Sequence, residues 1–353
     1  MTGRVDQLLA GYARGDAISQ DARSIRDRLR ASGVKSDLFV PADRIAPDVQ
    51  GDCLPLEQYA AGAGNMVIYH ASIGSPIDAV YHRTPARRIM RYHNITPASF
   101  YEPYDAGTAG ILAQARDQLK TLADAARFVW CDSVYNADEL RMLGCRNVGV
   151  LPLFYRPADL RTEPDPRMLD RLGGGLTNIL FVGRLVPNKC VEDLVLAYAW
   201  YSRHFNPASR LLIAGSDRSC PRYDAMLKLL AGRLNLTNVC FLGFVSPTQL
   251  SACYRSAGLF VCASRHEGYC LPLVEAMAHG VPVLARRCGG MPEAMGTGGA
   301  LYDEADPRDL AVLWSRLLGD DGLRRDLVAS QVQRVAELDQ RDLDADVRQL
   351  IKD

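Results

Sequence analysis

Short apolar and β-branched runs alternate with longer segments of helical periodicity along most of the chain. In the first half the apolar runs predict strands at Val5–Leu9, Asp37–Val40, Met66–His70, Ile89–His93, Phe128–Cys131 and Asn147–Leu151. Apolar residues at helical spacing predict helices at Ala17–Ser32, Thr108–Ala126 and Val134–Leu143. This alternation is typical of parallel sheets covered by crossover helices, so the sequence predicts an α/β fold.

A second series of the same kind fills the other half of the chain. Its predicted strands are Asn178–Val182, Arg210–Ala214, Val239–Leu242, Leu259–Cys262 and Pro282–Ala285. Its predicted helices are Val191–His204, Tyr223–Asn235, Pro247–Ser256 and Pro272–His279, with more from Pro307 onwards. A proline-bearing segment at 151–157 separates the two series, which predicts a domain at 1–155, a second at 156–335 and a C-terminal helix at 336–353. Two doubly wound domains would bind ligands in a cleft at the carboxyl ends of their sheets.

The balance of basic and acidic residues indicates which classes of partner the protein is expected to bind. The 353 residues include 41 basic and 41 acidic side chains, so no overall field attracts nucleic acid, and we expect no nucleic-acid partner. The chain has no run of 18 apolar residues, and Arg4 and Asp6 interrupt the start where a signal peptide needs an apolar core. These features favour a cytoplasmic protein.

The ten cysteines form no C-x-x-C pair and lie mostly in apolar runs, which indicates reduced core thiols. A structural zinc site is the alternative. His266-Glu267 does not extend to H-E-x-x-H because position 270 is cysteine, and no Asp-x-Asp pair lies in a suitable loop. We therefore expect neither a metal nor another cofactor.

Two carboxylates, Glu267 and Glu275, stand eight residues apart around a glycine-bearing loop that ends in a helix. Backbone N–H groups and the helix dipole make such a helix start an anion site. A ligand with phosphate in the middle and hydroxyl groups on both sides, such as a nucleoside diphosphate sugar, fits this pattern. The alternative is that both carboxylates are ordinary solvated charges.

Basic residues and a second glycine-bearing loop add to this picture. Arg184 follows Gly183 at the end of a predicted strand, and Lys189 stands at the opening of the next helix, where both could neutralise phosphate. His93 ends a predicted strand, and the polar turn after it is expected to expose its ring. Gly15-Asp16 opens the first long helix. Each feature also has a plain structural interpretation.

Several segments together resemble one family, the family 4 glycosyltransferases with the GT-B fold. The matching segments are Phe181–Leu185 with Asn188-Lys189, Phe241–Val245, Ala263–Ala278 and Gly280–Val283. In the first domain, Gly15–Ser19 and Arg91–Pro97 resemble members that build bacterial surface polysaccharides. The resemblance implies two Rossmann-like domains and a retaining transfer.

The resemblance also implies roles for single residues. Arg184 and Lys189 would hold the donor diphosphate, Glu275 the ribose and Glu267 a hydroxyl of the donor sugar. The resemblance further places near the donor Gly15, Asp16, Gly183, Phe244, Val245, Gly268, Tyr269, Cys270 and Leu271, with His93 reaching the donor sugar. Cys270 departs from the family, which more often has a small residue such as glycine there.

The resulting hypothesis is a glycosyltransferase that moves a hexosyl group, such as mannose or glucose, from a UDP- or GDP-sugar. The acceptor would be a glycan or a lipid-linked saccharide. Arginines at 83, 87, 88 and 91 and at 23, 26, 28 and 30 could favour peripheral contact with the inner face of the plasma membrane. The alternatives are a nucleotide-sugar epimerase, a glycan phosphorylase and a non-catalytic binding subunit.

Overall fold

The computed structural model describes residues 3–216 and 218–352, which divide into two compact units. The first unit comprises Met1–Glu102, Ala106–Tyr155 and Asp342–Asp353, and the second comprises Pro103–Asp105 and Arg156–Arg341. No helix among the described residues is both long and apolar enough to span a bilayer.

The first unit is built on a parallel sheet with the strand order β3-β2-β1-β4-β5-β6-β7. Its strands are β1 (Val5–Leu9), β2 (Leu38–Val40), β3 (Leu54–Pro55), β4 (Met66–Ala71), β5 (Arg87–Tyr92), β6 (Phe128–Cys131) and β7 (Val148–Val150). Its helices are α1 (Ala17–Ala31), α2 (Ile77–Arg83), α3 (Ala106–Ala125), α4 (Val134–Met142) and the last helix of the chain. The order of the strands reverses between β1 and β4.

The second unit contains a six-stranded parallel sheet with the order β10-β9-β8-β11-β12-β13. Its strands are β8 (Thr177–Val182), β9 (Ser209–Ala214), β10 (Val239–Gly243), β11 (Ala257–Cys262), β12 (Val283–Arg286) and β13 (Ala300–Tyr302). Its helices are α5 (Pro166–Leu172), α6 (Val191–His204), α7 (Pro221–Arg233), α8 (Pro247–Ser256), α9 (Leu271–Ala278), α10 (Met291–Met295), α11 (Pro307–Gly319) and α12 (Asp321–Asp339).

The last helix, α13 (Leu343–Lys352), belongs to the first unit. Leu343, Val347 and Leu350 recur at helical spacing and are all buried in the same cluster as Ile25 and Leu29 of α1. Burying these apolar side chains removes them from water, which contributes most of the stability of such a contact. The chain therefore returns to the first unit to complete its core.

The short elements β3, α2, α5, α10 and β13 were not predicted, because two to seven residues are too few to show a period. The predicted end of the strand at His93 is also corrected, since β5 ends at Tyr92 and His93 begins the following loop.

The arginine clusters that suggested membrane contact are mostly engaged in ion pairs. Arg91 is fully buried, and its guanidinium contacts Asp21 and Asp132. Arg26 is nearly buried beside Asp52. The remaining pairs on α1 are Arg23–Asp52, Arg28–Asp344 and Arg30–Asp37. Five of the eight arginines are therefore paired with carboxylates, whereas Arg83 and Arg87 are exposed, and membrane contact stays a prediction.

Candidate active site

The candidate site of the second unit lies where its sheet reverses strand order. From β8 the chain continues outwards through β9 and β10, and then returns to place β11 on the other side of β8. Such a switch point opens a crevice at the carboxyl ends of the two neighbouring strands. The segments predicted to bind a donor, which follow β8 and β11, both lie there.

Two basic residues, Arg184 and Lys189, follow β8 and lie in different environments. Arg184 is exposed, and its side chain has no ion pair or side-chain hydrogen bond among residues 3–216 and 218–352. Lys189 lies in a single 3-10 turn just before α6, so the expectation that it opens the helix itself is corrected by two residues. A Cβ atom on Gly215 would lie 1.8 Å from the carbonyl oxygen of Gly183, so only glycine allows β8 and β9 to end so close together.

Lys189 and Glu267 form an ion pair across the two segments, with Lys189 Nζ donating to a carboxylate oxygen of Glu267. The two side chains are 15% and 10% exposed, so water screens the pair only weakly. Burial alone would lower the pKa of Lys189, but the neighbouring Glu267 carboxylate raises it to about 12. Lys189 therefore stays positively charged at neutral pH, and Glu267 neutralises it locally.

Backbone contacts hold the loop that carries Glu267. The Asn188 side-chain amide donates to the carbonyl of His266 at 3.0 Å, and the Arg265 N–H donates to the carbonyl of Asn188 at 2.9 Å. The Gly290 N–H donates to the carbonyl of Glu267 at 2.9 Å. A Cβ atom on Gly289 would lie 2.1 Å from that same carbonyl oxygen, so this approach also requires glycine.

The loop ends where α9 begins. Gly268 is half-buried, Tyr269 and Leu271 are buried, and Leu271 is the first residue of the helix. Cys270 precedes the helix in a left-handed conformation, with φ +75° and ψ +70°. Side chains other than glycine pay about 1–2 kcal/mol for this conformation, which explains physically why glycine suits the position. The departure from the family pattern therefore places a residue with a side chain in a strained backbone conformation.

Glu275 lies one turn into α9 and accepts a hydrogen bond from the hydroxyl of Tyr254 at 2.7 Å. Burial raises the pKa of Glu275, and the hydrogen bond from Tyr254 only partly offsets that effect. The ring of Tyr254, on α8, stacks on His279 with 4.9 Å between ring centroids. Tyr254 thus fixes the direction of the Glu275 carboxylate.

The last predicted donor contacts of this unit follow β10. Phe244 is 64% exposed, which is unusual for a large apolar side chain, and Val245 beside it is half-buried. A flat, exposed aromatic ring at the carboxyl edge of the sheet is suited to contact a nucleobase.

The predicted residues of the first unit are placed as follows. Gly15 is exposed with φ +77°, at the turn that leads into α1. Asp16 caps α1 by accepting from the backbone N–H and the hydroxyl of Ser19, at 2.9 and 2.8 Å. The carboxylate of Asp16 is therefore committed at least in part to starting the helix.

His93 differs from its prediction. Its side chain is only 2% exposed, so the expectation that the following turn exposes the ring is wrong. Nδ1 of His93 lies 2.7 Å from Asp132, and Nε2 lies 2.9 Å from Nδ1 of His70. Asn94 follows in a left-handed conformation, and its side chain turns inwards to Asn136. Neighbouring polar groups of the same unit thus hold both ring nitrogens.

Several residues of these sites escaped the sequence analysis. Tyr254, His70 and Asp132 are far in sequence from the residues that they orient, and no local pattern marks them. Gly289 belongs to the dipeptide Gly289-Gly290, which lies in the loop after β12 and could have indicated a close backbone approach.

The chain is similar to known proteins both over the second unit and over its whole fold. The family model described as "Glycosyl transferases group 1" matches residues 172–333, which span the whole candidate site of the second unit. Among solved structures, the chain is similar to the sucrose-phosphate synthase from Thermosynechococcus elongatus, with a TM-score of 0.77 and 20% identity. That likeness covers 99% of this chain and 97% of the other, and it confirms the predicted fold of two Rossmann-like α/β domains.

Curated relatives match over shorter stretches. A D-inositol 3-phosphate glycosyltransferase from Nocardia farcinica is 35% identical over 233 residues, which are 63% of this chain and 49% of the relative. The serotype-specific mannosyltransferase WbdA from Escherichia coli is 28% identical over 160 residues, which are 45% of this chain and 20% of the relative. The chain thus spans about half the length of the first relative and a fifth of the second.

Proposed function

We propose that residues 172–333, which the model described as "Glycosyl transferases group 1" matches, form a domain of that family and carry the activity of the whole protein. The protein transfers a hexosyl group, such as mannose or glucose, from a UDP- or GDP-sugar to a glycan or lipid-linked saccharide. The transfer retains the anomeric configuration and needs no metal. The product would enter the biosynthesis of a polysaccharide or glycolipid.

One observation carries the proposal. The exposed Arg184, the buried Lys189–Glu267 pair and the Tyr254–Glu275 pair all border the carboxyl ends of β8 and β11, within one unit. An anion-binding helix start lies between the two carboxylates. This arrangement offers cations and N–H dipoles to a diphosphate and carboxylates to hydroxyl groups on either side of it.

The chemistry follows from where charge develops. Breaking the sugar–phosphate bond leaves positive character on the sugar ring and negative charge on the departing diphosphate, and stabilising that anion is usually the largest catalytic effect. Glu267 already balances the charge of Lys189, so the excess positive charge comes from Arg184 and the start of α9. Glu267, oriented by Lys189, is placed to accept a hydrogen bond from a sugar hydroxyl.

Retention is proposed through attack from the face that the diphosphate leaves. In that path the departing phosphate accepts the proton of the acceptor hydroxyl, so no second carboxylate is needed for a covalent intermediate. The role of His93 stays a prediction, and its engaged ring nitrogens mean that a contact with the sugar would require one of its present hydrogen bonds to open. Gly15 and Asp16 stay predicted contacts of the diphosphate.

The acceptor is proposed from the relatives alone. One relative is named for inositol 3-phosphate and another for mannosyl transfer, so phosphorylated polyols are the first acceptors to test and a mannosyl nucleotide is the first donor. The proposed acceptor does not require contact with a membrane. Most of the arginines that suggested such contact form ion pairs with carboxylates.

A thermal-shift screen against nucleotide sugars and nucleoside diphosphates, with and without chelator, tests the donor. A ligand at about 100 times its dissociation constant adds about 2.7 kcal/mol of stability, which is easily detected. A shift with one donor that survives chelation supports the proposal and identifies the base. Transfer of radiolabelled sugar to an acceptor must follow, because donor binding without transfer would indicate a binding subunit.

Turnover without an acceptor separates the remaining alternatives. Interconversion of nucleotide sugars would favour an epimerase, and glycan cleavage by inorganic phosphate would favour a phosphorylase. Either result would overturn the proposed transfer.

A further inference from the structure

Two thiols and a carboxylate converge at the carboxyl end of β11. Cys262 is the last residue of that strand, Cys270 immediately precedes α9, and Glu267 lies in the loop between them. The two sulfur atoms and a carboxylate oxygen of Glu267 all lie within 4.8 Å of one another. The three residues are at most 9% exposed.

The geometry points to a binding site for a thiophilic divalent cation, and we propose that Cys262, Cys270 and Glu267 bind Zn²⁺ or Cd²⁺ there. In a tetrahedral zinc site the metal–sulfur distance of about 2.3 Å separates two sulfur ligands by about 3.8 Å. The observed cluster therefore needs adjustments of only about 1 Å. Two thiolates select a soft cation over Mg²⁺ or Ca²⁺.

The charges around the cluster balance when the cation is bound. Two thiolates and the Glu267 carboxylate carry three negative charges, and the divalent cation together with Lys189 carries three positive ones. A buried group of charges is tolerated only when it is neutralised and well coordinated. Lys189, which pairs with Glu267, would therefore remain beside the bound metal instead of being expelled as excess charge.

Two further side chains contact the sulfur of Cys262. Ser264 Oγ lies 3.3 Å and the thioether sulfur of Met291 lies 3.7 Å from the sulfur of Cys262. Three protein ligands leave a fourth coordination position open, as in zinc sites that exchange a ligand. The site is thus latent and reversible, in contrast to a closed structural site.

Occupation of the site would inhibit the protein, a consequence that rests on the proposed function. The metal would hold Glu267, which is proposed to bind a sugar hydroxyl, and would tie Cys270 at the start of α9, where the donor is proposed to bind. The cation is therefore an inhibitor of a reaction that itself needs no metal.

Cd²⁺ titration of the full chain tests the site directly, with a phosphine reductant that keeps thiols reduced without competing for metal. Wild-type protein should show thiolate-to-cadmium ultraviolet absorption that saturates at one equivalent. Cys270→Gly should bind at least about 100-fold more weakly, since a thiolate ligand is lost. Glycine suits the left-handed backbone at this position, so the variant should fold, and its melting curve checks this.

Two further variants sharpen the result. Cys240→Ser, which removes a half-buried thiol from β10, should leave the first equivalent unchanged. Glu267→Gln should weaken binding while both thiols remain. An undiminished first-equivalent signal in folded Cys270→Gly protein would overturn the proposed site.

The inhibitory role has its own readout. One equivalent of Zn²⁺ should abolish the stabilisation of wild-type protein by a nucleoside diphosphate but not that of Cys262→Ser, which removes a metal ligand outside the proposed donor contacts. Cadmium binding at Cys262 and Cys270 without any effect on nucleotide binding would support the metal site and contradict the proposed donor position. Failure of the proposed metal site and failure of the proposed donor position therefore give different results.

Discussion

Nδ1 of His70 lies 2.9 Å from Nε2 of His93, with the two rings stacked at 5° to each other inside the first unit. The direction of the hydrogen bond between them follows from their neighbours. The side-chain amide of Gln7 donates to the carbonyl of Ala22 at 3.0 Å, so its oxygen must face Nε2 of His70, 2.9 Å away. His70 Nε2 therefore carries the proton, and His70 Nδ1 can only accept.

Nε2 of His93 consequently donates to Nδ1 of His70. Nδ1 of His93 lies 2.7 Å from Asp132, whose other oxygen lies 3.1 Å from the guanidinium of Arg91. Ring ¹⁵N spectra at neutral pH should show His70 as a neutral ring with its proton on Nε2.

The spectra can be assigned with His93→Gln and His70→Gln, each of which removes one set of signals. A proton on Nδ1 of His70 in place of Nε2 would contradict the hydrogen-bond directions and would show that the Gln7 amide is oriented the other way.

The stability of the protein should depend on pH through His70. Burial, together with the neighbouring charge of His93, holds the pKa of His70 well below its usual 6.5. At lower pH the unfolded chain binds a proton on His70 that the folded chain does not, so the free energy of unfolding falls as pH drops below about 6.5. The slope from this group reaches about 1.4 kcal/mol per pH unit.

Denaturant unfolding between pH 5 and pH 7, a range of about two units around the ordinary histidine pKa, measures this slope. His70→Gln should make the slope shallower by close to one proton, whatever its effect on absolute stability. His82→Gln, at an exposed position in α2, is the matched control and should leave the slope as in the wild type. Equal slopes for His70→Gln and wild-type protein would refute the assignment.

Substituting Arg184 and substituting Lys189 should affect the stability of the fold differently, although both side chains are proposed to bind the diphosphate. Arg184→Ala should change the free energy of unfolding by less than about 0.5 kcal/mol, because the side chain is exposed. It should slow transfer by about 100- to 1000-fold through loss of anion stabilisation. Arg222→Ala, also exposed, is the control for a general loss of positive charge and should retain activity.

Lys189→Ala should instead destabilise the fold by about 3 kcal/mol, because it leaves the Glu267 carboxylate nearly buried without its partner. Removing both groups in Lys189→Ala/Glu267→Ala should recover much of that loss, so a double-mutant cycle measures the coupling. Strictly additive effects of the two substitutions on unfolding would mean that the pair does not form.

Glu275→Gln should weaken donor binding without lowering the stability of the fold. Burial raises the pKa of Glu275, so the folded state holds its proton more tightly than the unfolded state and the charged group opposes folding at neutral and higher pH. Glutamine removes this cost and can still accept the hydrogen bond from Tyr254. The variant should therefore melt at an equal or higher temperature while its apparent affinity for the donor falls.

The difference in the free energy of unfolding between Glu275→Gln and wild-type protein should shrink as the pH falls through the raised pKa of Glu275. The wild-type carboxyl is then neutral in the folded state, as the glutamine side chain is at every pH. Melting curves from pH 5 to pH 8, a window of about three units above the ordinary glutamate pKa, together with donor titrations, check both halves. A lower melting temperature at high pH, or unchanged donor affinity, would contradict the assigned environment or role of Glu275.

Local sequence determined much of the fold. Apolar runs placed the long strands β1, β4, β8 and β9 to within a residue or two, because burial on both faces requires such runs. Caps and periodicity located α1 and α9 in the same way. The loop between Glu267 and Glu275 was likewise visible, since all its features lie within nine consecutive residues.

Tertiary structure alone decided which charges are free to act. Lys189 and Glu267 are 78 residues apart, Tyr254 and Glu275 are 21 apart, and His93 and Asp132 are 39 apart. A sequence names these groups but does not state their neighbours or their exposure, and electrostatic energies depend on both. The sequence thus identified the cations of the proposed donor site, while the packing of parallel strands decided that Arg184 is exposed, Lys189 is paired and His93 is buried.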